Sequence, residues 1–257
     1  MHPKIPARVL IDLIEERRFG VEYQPLVSLA DETIMGYEAL ARFYHGDGTT
    51  LAPQQVFDSL HASPLTLYKV EYEMKRLQLV HAPTEGLRLF VNLDPDAFES
   101  GLNGQTNPLV TLLAAYPKVV VEIIENSTIS DAEISETMAS AFADSGVELA
   151  LDDIGATQSM LSLEILLAVD FLKFDRSWLQ HLGNPVRCAL LRHLVAFARE
   201  CGKSTILEGV ESEAHHAFAQ SIGFDYVQGF LYLPLFRSTG CLAGVSAAPP
   251  LHAPHSL

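Results

Sequence analysis

Charged side chains stand where buried strands are predicted to end in the stretch from Val147 to Asp175. Residues 148–151 predict a buried strand, and two adjacent carboxylates, Asp152 and Asp153, follow it directly. A turn-rich loop and an apolar segment lead to a second short strand, which carries Lys173 among hydrophobic residues. Burying such charges is costly unless they are paired or bound to a metal. Charges at strand ends are typical of a parallel α/β sheet with a site at its carboxyl edge.

The same pattern recurs along the whole chain. Polar residues fall within or at the ends of seven strand-like runs: Glu38, Asn92, Glu122, Asp152 with Asp153, Lys173, Glu208 and Gln228. Each one alone could face solvent, cap a helix or start a turn. The spacings of 20 to 54 residues nevertheless all fit at least one strand-plus-helix unit. In a closed barrel the strand ends converge on one face, so these residues are expected to meet at one mouth.

Five of these eight side chains are carboxylates. Because five negative charges share a small site only when cations are present, the set predicts bound metal. The candidate ligands are oxygen donors, with no histidine or cysteine among them. This donor set favours Mg²⁺ or Mn²⁺ over zinc or copper.

The elements that position these residues begin with a hairpin. The strand-like runs 21–29 and 33–40 are separated by three residues, which permits an antiparallel hairpin and excludes a parallel crossover. Further strands are predicted at 87–92, 119–124, 148–152, 171–174, 204–208 and 226–228. Helices are predicted at 53–60, 65–81, 108–116, 131–143, 161–169, 186–201 and 213–222. Eight strands with crossover helices predict an α/β fold, a modified TIM (β/α)8 barrel with an antiparallel first strand.

Length and composition fit one barrel-sized domain. The chain has 257 residues, of which 48% are hydrophobic, and this is enough for a single large core. We assign residues 1–20 to a helical lead-in, 21–245 to the barrel and 246–257 to a loose tail rich in Pro, Ala and His. The formal charge of −15 argues against binding to nucleic acid polymers.

Cysteine content and hydropathy indicate a cytoplasmic protein. Cys188, Cys201 and Cys241 form no C-x-x-C pair and are typical of reduced thiols. No signal peptide is visible, and no apolar run reaches the roughly 20 residues of a membrane span. We therefore expect a cytoplasmic location and no membrane partner.

Glu38 to Arg42 spell E-A-L-x-R, and with the other motifs they resemble the EAL domain family of cyclic di-GMP phosphodiesterases. The resemblance runs from Tyr23-Gln24-Pro25 to about Pro234 and covers nearly the whole chain. The remaining motifs, in order, are Phe90-Val91-Asn92-Leu93, Glu122-Ile123-Ile124-Glu125, Asp152-Asp153, Lys173-Phe174-Asp175, Glu208-Gly209-Val210-Glu211 and Gln228-Gly229-Phe230-Leu231. The family fold is a modified TIM barrel with a reversed first strand, in agreement with the hairpin.

The resemblance implies hydrolysis of one phosphodiester bond of cyclic di-GMP to linear pGpG at a two-metal site. Mg²⁺ or Mn²⁺ would support turnover, and Ca²⁺ would inhibit it because its looser coordination misplaces the attacking water. The implied metal ligands are Glu38, Asn92, Glu122, Asp152, Asp153 and Glu208, with Asp152 shared between the two ions.

The resemblance also implies roles in catalysis and substrate binding. Lys173, Glu38 and Glu208 would be catalytic, with Lys173 orienting the water and stabilising charge on the phosphate. Arg42 would neutralise a phosphate oxygen, Gln24 would lie near a guanine, and Gln228 would support the substrate site. The second glutamate of E-x-x-E, Glu125, would anchor the loop after Asp153. Cyclic di-GMP is the implied small-molecule partner, and the resemblance is compatible with a homodimer and a regulatory protein partner.

The sequence departs from the family in two segments. The loop Ile154 to Met160 lacks both aromatic residues and the second glycine of the family's F-G-T-G-Y-S-S, and Ala156 replaces its threonine. A β-branched residue resists positive φ, so we expect strain at Thr157 and slower turnover. After Gln228, the segment ends at Pro234, one residue shorter than in the family and without its arginine.

Two alternatives remain open from the sequence. The altered loop favours an inactive EAL module that acts as a cyclic di-GMP receptor or a protein-interaction domain, since fold alone does not determine function. The other alternative is a Schiff-base aldolase-type barrel that uses Lys173, although it leaves the five carboxylates unexplained.

Overall fold

The computed structural model describes residues 5–83, 86–101, 106–124, 129–157 and 161–243. Ten strands are assigned in this part of the chain: β1 (Phe19–Ser28), β2 (Ile34–Tyr44), β3 (Thr50–Leu51), β4 (Arg88–Asn92), β5 (Val119–Ile124), β6 (Glu148–Ile154), β7 (Phe171–Phe174), β8 (Ser204–Leu207), β9 (Tyr226–Val227) and β10 (Arg237–Ser238).

Eight of these strands close into a barrel. The ring runs β1-β9-β8-β7-β6-β5-β4-β2, and pairing of β1 with β2 closes it. Neighbours from β2 to β9 are parallel, whereas β1 is antiparallel to both β2 and β9. The predicted modified TIM barrel with an antiparallel first strand is therefore confirmed. The short strands β3 and β10, which the sequence did not predict, extend the edges beside β2 and β1.

Helices connect the strands and surround the ring. They are α1 (Ala7–Glu15), α2 (Pro53–Leu60), α3 (Pro64–Val80), α4 (Pro95–Ser100), α5 (Pro108–Ala114), α6 (Ile129–Asp144), α7 (Leu163–Ala168), α8 (Pro185–Glu200) and α9 (Glu213–Ile222). Predicted helix bounds match within a few residues, and those of α2 and α9 match fully. The sequence missed α4, which Asp94 caps by accepting from the backbone N–H groups of Asp96 and Ala97. No helix of the described ranges is long and apolar enough to cross a membrane.

A compact apolar layer fills the inside of the barrel. It consists of one buried residue from each of six strands: Leu26, Phe90, Val120, Ala150, Phe171 and Ile206. Phe90 and Phe171 meet edge to face with ring centroids 5.1 Å apart, a favourable aromatic geometry. At the amino ends of the strands, the Arg88 guanidinium lies over the Phe171 ring and binds both oxygens of Glu148. The barrel is therefore a packed core, and the opposite, carboxyl end is left for chemistry.

The inner layer generates a stability prediction. Phe90→Ala should lower the free energy of unfolding by about 3–5 kcal/mol, because Phe90 is fully buried and its removal leaves a cavity. Phe230→Ala is a matched control, since Phe230 is 58% exposed and should cost less than about 1 kcal/mol. Urea denaturation of both variants measures the difference. Equal losses would contradict a packed barrel interior.

Candidate active site

The buried ammonium of Lys173 lies at the centre of the carboxylates predicted from the strand ends. Lys173 Nζ is 2.5 Å from Glu122 Oε1, 2.8 Å from Glu208 Oε1 and 3.0 Å from Asp152 Oδ1. Glu38 Oε2 lies 3.7 Å away. Lys173 and Glu122 have no exposed surface at all. Four carboxylates from four different strands or strand ends thus meet around one positive charge.

Two amides hold the carboxylate of Glu38. Asn92 Nδ2 donates to Glu38 Oε1 over 2.9 Å, and Gln228 Nε2 donates to Glu38 Oε2 over 2.5 Å. Gln228 Nε2 also approaches Gln24 Oε1 at 3.4 Å. Gln24 sits directly opposite Glu38 in the β1–β2 pairing. The antiparallel first strand therefore contributes Gln24 to the same mouth as the parallel strands.

The electrostatics of this cluster are dominated by burial. Burial, and next the charge of Glu38, raises the pKa of Glu122 well above its usual range. Burial likewise raises the pKa of Glu208 to about 8 and that of Asp153 to about 6, where the charge of Asp152 adds to the effect. The pKa of Asp152 is raised by burial too. The single ammonium of Lys173 thus compensates only part of the cost of burying the ionised forms of these acids.

For Glu38 and Lys173 the shifts in pKa favour the charged form instead. Burial acts to raise the pKa of Glu38, but the Lys173 ammonium and the amides of Gln228 and Asn92 bring it below its usual value. Burial acts to lower the pKa of Lys173, yet the surrounding carboxylates raise it well above normal. A Schiff-base lysine needs a free amine with a lowered pKa. The three carboxylates within 3.0 Å of this ammonium therefore argue against the aldolase-type alternative.

The acidic residues fit divalent metal. Among the described residues they form two groups whose ligand atoms lie within 4.8 Å of one another: Glu38 with Glu122 and Asp152, and Asp152 with Asp153 and Glu208. Asp152 belongs to both groups, and its expected role as a shared ligand stays a prediction. Glu122 Oε2 is buried and has no hydrogen-bond partner in the described chain. An enclosed, unsatisfied carboxylate oxygen in an all-oxygen donor set suits Mg²⁺ or Mn²⁺.

A strained turn presents Asp153 at the end of β6. Asp153 has φ of 58°, a left-handed conformation that aspartate tolerates better than most residues. Gly155 follows at φ of 89°, and a Cβ there would lie 2.3 Å from Trp178 Nε1. Trp178 Nε1 donates to the Ile154 carbonyl over 2.7 Å. The indole N–H and the ring of Trp178 therefore hold the turn that carries Asp153.

The prediction of a strained, positive φ at Thr157 is wrong. The non-glycine residues with positive φ in the described ranges are Arg17, Glu32, Lys118 and Asp153, so the left-handed residue of this loop is Asp153 and not Thr157. The turn is made earlier, where Gly155 and Trp178 accommodate it. Residues 158–160 of the altered loop, the proposed loop anchor Glu125 and the tail 246–257 lie outside the described residues.

A cavity of about 500 Å³ opens above the carboxylates. Of the expected site residues, it is lined by Gln24, Glu38, Asn92, Asp152, Asp153, Glu208 and Gln228. Sequence reasoning did not assign Gln54, Arg176, Glu211 and Phe230, which also line it. A signal was available for three of them. Arg176 directly follows the Lys173-Phe174-Asp175 motif, Glu211 ends Glu208-Gly209-Val210-Glu211, and Phe230 is part of Gln228-Gly229-Phe230-Leu231.

Arg42 does not line this cavity. Its Nη2 donates to Glu22 Oε1 over 2.6 Å, and Gln24 Nε2 donates to the same oxygen over 3.0 Å. Arg42 instead borders a neighbouring cavity of about 310 Å³. The structure therefore brings Arg42 near the mouth but engages it with a carboxylate, and its expected phosphate contact stays a prediction.

The neighbouring cavity is lined by buried polar residues of α3. Lys75 Nζ binds Glu71 Oε1 over 2.9 Å, with both side chains at most 3% exposed. Gln78 donates to the Ala39 carbonyl, and Glu71 Oε2 and Gln78 Oε1 have no hydrogen-bond partner in the described chain. Sequence reasoning missed these residues. The available signal was that they share the apolar helix face of Leu67, Val70 and Met74, where polar side chains are unusual.

Comparisons with known proteins agree on one family. A family profile described as "EAL domain" matches residues 7–234. The probable cyclic di-GMP phosphodiesterase PdeB of Escherichia coli is 29% identical over 234 residues, which are 88% of this chain and 44% of PdeB. The cyclic di-GMP phosphodiesterase PdeL of the same organism is 24% identical over 229 residues, 86% of this chain and 63% of PdeL. This chain thus spans less than two thirds of either relative.

Solved structures show the same fold. The EAL domain protein of Listeria monocytogenes has a TM-score of 0.71 at 23% identity, over 90% of this chain and 94% of that one. The Bacillus subtilis YkuI protein, solved with cyclic di-GMP and calcium, has a TM-score of 0.72 at 23% identity, over 87% of this chain and 57% of that one. At these identities the structural matches establish the shared fold.

The turn at Asp153 generates a prediction. Gly155→Ala should destabilise the protein more than Gly48→Ala, because Gly48 has a similar φ of 84° but nothing within 4 Å of its Cβ position. Positive φ alone costs an alanine about 1–2 kcal/mol, and both variants lose this amount. The additional loss of stability in Gly155→Ala measures the clash with Trp178. Thermal unfolding measures the stability. Trp178 is the single tryptophan, so its fluorescence should shift in Gly155→Ala only. Indistinguishable variants would show that Trp178 does not constrain the turn.

Proposed function

The chain belongs to the EAL domain family, and on that premise we propose that it hydrolyses cyclic di-GMP to linear pGpG with divalent metal ions at the barrel mouth. The observation that supports this proposal best is the group of buried carboxylates around Lys173 beneath an open cavity. PdeL is described as a cyclic di-GMP phosphodiesterase and PdeB as a probable one, which supports the choice of substrate.

The acidic groups would hold the metal. Glu38, Asn92, Glu122 and Asp152 would bind one Mg²⁺ or Mn²⁺, and Asp152, Asp153 and Glu208 would bind the second. When bound, such ions supply Lewis-acid chemistry to the phosphate and to water. Their positive charge would also bring the raised pKa values of Glu122, Asp153 and Glu208 down, so that these acids bind as carboxylates.

The side chains of this chain would orient and stabilise the reacting groups. In the proposed reaction the oxygen of water bonds to one phosphorus and the bond from that phosphorus to a ribose oxygen breaks. The proton that the water loses ends on this ribose oxygen as a hydroxyl, and the ring opens to the linear dinucleotide. Three carboxylates within 3.0 Å fix the Lys173 ammonium, which would stabilise the charge that develops on the phosphate and orient the water. Gln228 and Asn92 hold Glu38 in one orientation, so little reorganisation would accompany the reaction.

The alternative function is that of a cyclic di-GMP receptor or protein-interaction module that cleaves nothing. The altered sequence of the loop after Asp153 favours it. Chromatography of the nucleotide after incubation distinguishes the two: pGpG formation supports the enzyme, whereas unchanged cyclic di-GMP that is nevertheless retained by the protein supports the receptor.

Metal removal provides the first test of the enzyme. Excess chelator should abolish pGpG formation, Mg²⁺ or Mn²⁺ should restore it, and Ca²⁺ should inhibit it. Glu122→Gln keeps the shape but removes a charge, so Mn²⁺ affinity measured by calorimetry should fall about tenfold or more, and turnover with it. Glu164→Gln, on the exposed side of α7, should change neither. Full activity without metal would contradict the metal-dependent mechanism.

Lys173 provides the second test. Lys173→Ala should lower kcat about 10²–10³-fold, the usual effect of removing one group that stabilises transition-state charge. KM should change little, because Lys173 lies beneath the cavity and is fully buried. The exposed Lys69→Ala is the control for removing a lysine charge. Steady-state kinetics separates the two constants, and equal losses of affinity and turnover would make Lys173 a substrate anchor instead.

A further inference from the structure

The large cavity has strongly unbalanced charge. Six carboxylates line it: Glu38, Asp152, Asp153, Asp175, Glu208 and Glu211. Of the described residues that line it, Arg176 is the one with a positive side chain. The proposed substrate, cyclic di-GMP, carries two phosphodiester groups. The bound metal ions and Lys173 would interact with the group that is cleaved. The second phosphate would therefore enter an acidic cavity and needs a cation of its own.

The backbone around Arg176 positions its side chain at the mouth. Arg176 begins a short 3₁₀ helix, Arg176–His181, and Asp175 caps this helix by accepting from the N–H of Ser177 over 2.9 Å. A Cβ at Gly209 would lie 2.3 Å from Arg176 Cβ and 3.5 Å from its Cδ. The stem of Arg176 therefore passes directly over Gly209, which is possible only because Gly209 has no side chain. This packing directs the arginine from β7 across the end of β8.

The Arg176 guanidinium is available for a ligand. Arg176 is exposed, and none of the ion pairs formed within the described ranges involves it. The other candidate cations are engaged, since Lys173 is enclosed by carboxylates and Arg42 binds Glu22 and borders the neighbouring cavity. The segment after Gln228 also lacks the arginine that the family usually carries there.

From this placement we infer that Arg176 binds the phosphodiester of cyclic di-GMP that is not cleaved. Its planar guanidinium matches two phosphate oxygens with two parallel N–H donors. The contact is the same in the ground state and in the transition state, so Arg176 contributes affinity and leaves the chemical step unchanged. This inference rests on the proposed function, because it assigns the second half of that substrate.

The test compares Arg176→Gln and Arg176→Lys with the control Arg192→Gln, an exposed arginine on α8 away from the cavity. Kd for cyclic di-GMP is measured by calorimetry with Ca²⁺, and KM and kcat are measured with Mn²⁺. Arg176→Gln should raise Kd and KM about tenfold to a hundredfold, the usual effect of losing a charged hydrogen bond. Its kcat should stay within about twofold of the parent. Arg176→Lys should keep part of the affinity, and Arg192→Gln should match the parent.

Salt dependence separates a phosphate contact from a contact to the base. The affinity advantage of the parent over Arg176→Gln should shrink as ionic strength rises from about 0.05 M to about 0.5 M, because the charge interaction is screened. An advantage that does not change with salt would assign Arg176 to a guanine edge and overturn the inference. Unchanged Kd in Arg176→Gln would overturn it as well. If the parent itself neither binds nor cleaves cyclic di-GMP, the proposed function fails and the inference fails with it.

Discussion

One ammonium enclosed by four carboxylates is the interaction on which the rest of this structure depends. Lys173 is buried as a charged group, which is possible because carboxylates surround it. These acids in turn need its positive charge in order to ionise together. Buried ion pairs stabilise a protein only when their geometry is good. This geometry requires residues of β2, β5, β6 and β7 to meet the residue that follows β8. The closed barrel supplies that convergence, while the apolar layer beneath it, with Phe90 and Phe171 at its centre, keeps the strands in register.

The ammonium alone does not balance the site. Burial raises the pKa of Glu122 and of Glu208, and the charge of Glu38 adds to the shift of Glu122. The unsatisfied Oε2 of Glu122 leaves a ligand position open. A site of this kind is stable when cations enter it, which links metal binding to the ionisation of its acids. The cavity above it is acidic as well, and among the described residues that line it Arg176 carries the one positive side chain. The anionic substrate that we propose would need that charge and bound cations to enter.

The turn after β6 shows how local strain is accommodated near such a site. Asp153 and Gly155 both adopt left-handed φ, which brings two adjacent aspartates to the same cavity although neighbouring residues of a strand normally face opposite sides. Trp178 holds this turn from the next strand–helix connection through the Ile154 carbonyl. The strained backbone thus lies at Asp153, a candidate metal ligand, and Trp178 holds it in place from outside the loop. This arrangement is common at functional sites.

The sequence by itself determined the order of the eight barrel strands, the reversed first strand and the carboxylates that meet around Lys173. These features follow from apolar periodicity and loop length, which are local properties of the chain. The tertiary structure alone decided which charges pair. Arg42 binds Glu22, and Trp178 rather than a loop residue supports Asp153. Long charged and aromatic side chains reach several neighbours, and which one they contact depends on elements far away in sequence that only the closed barrel brings together.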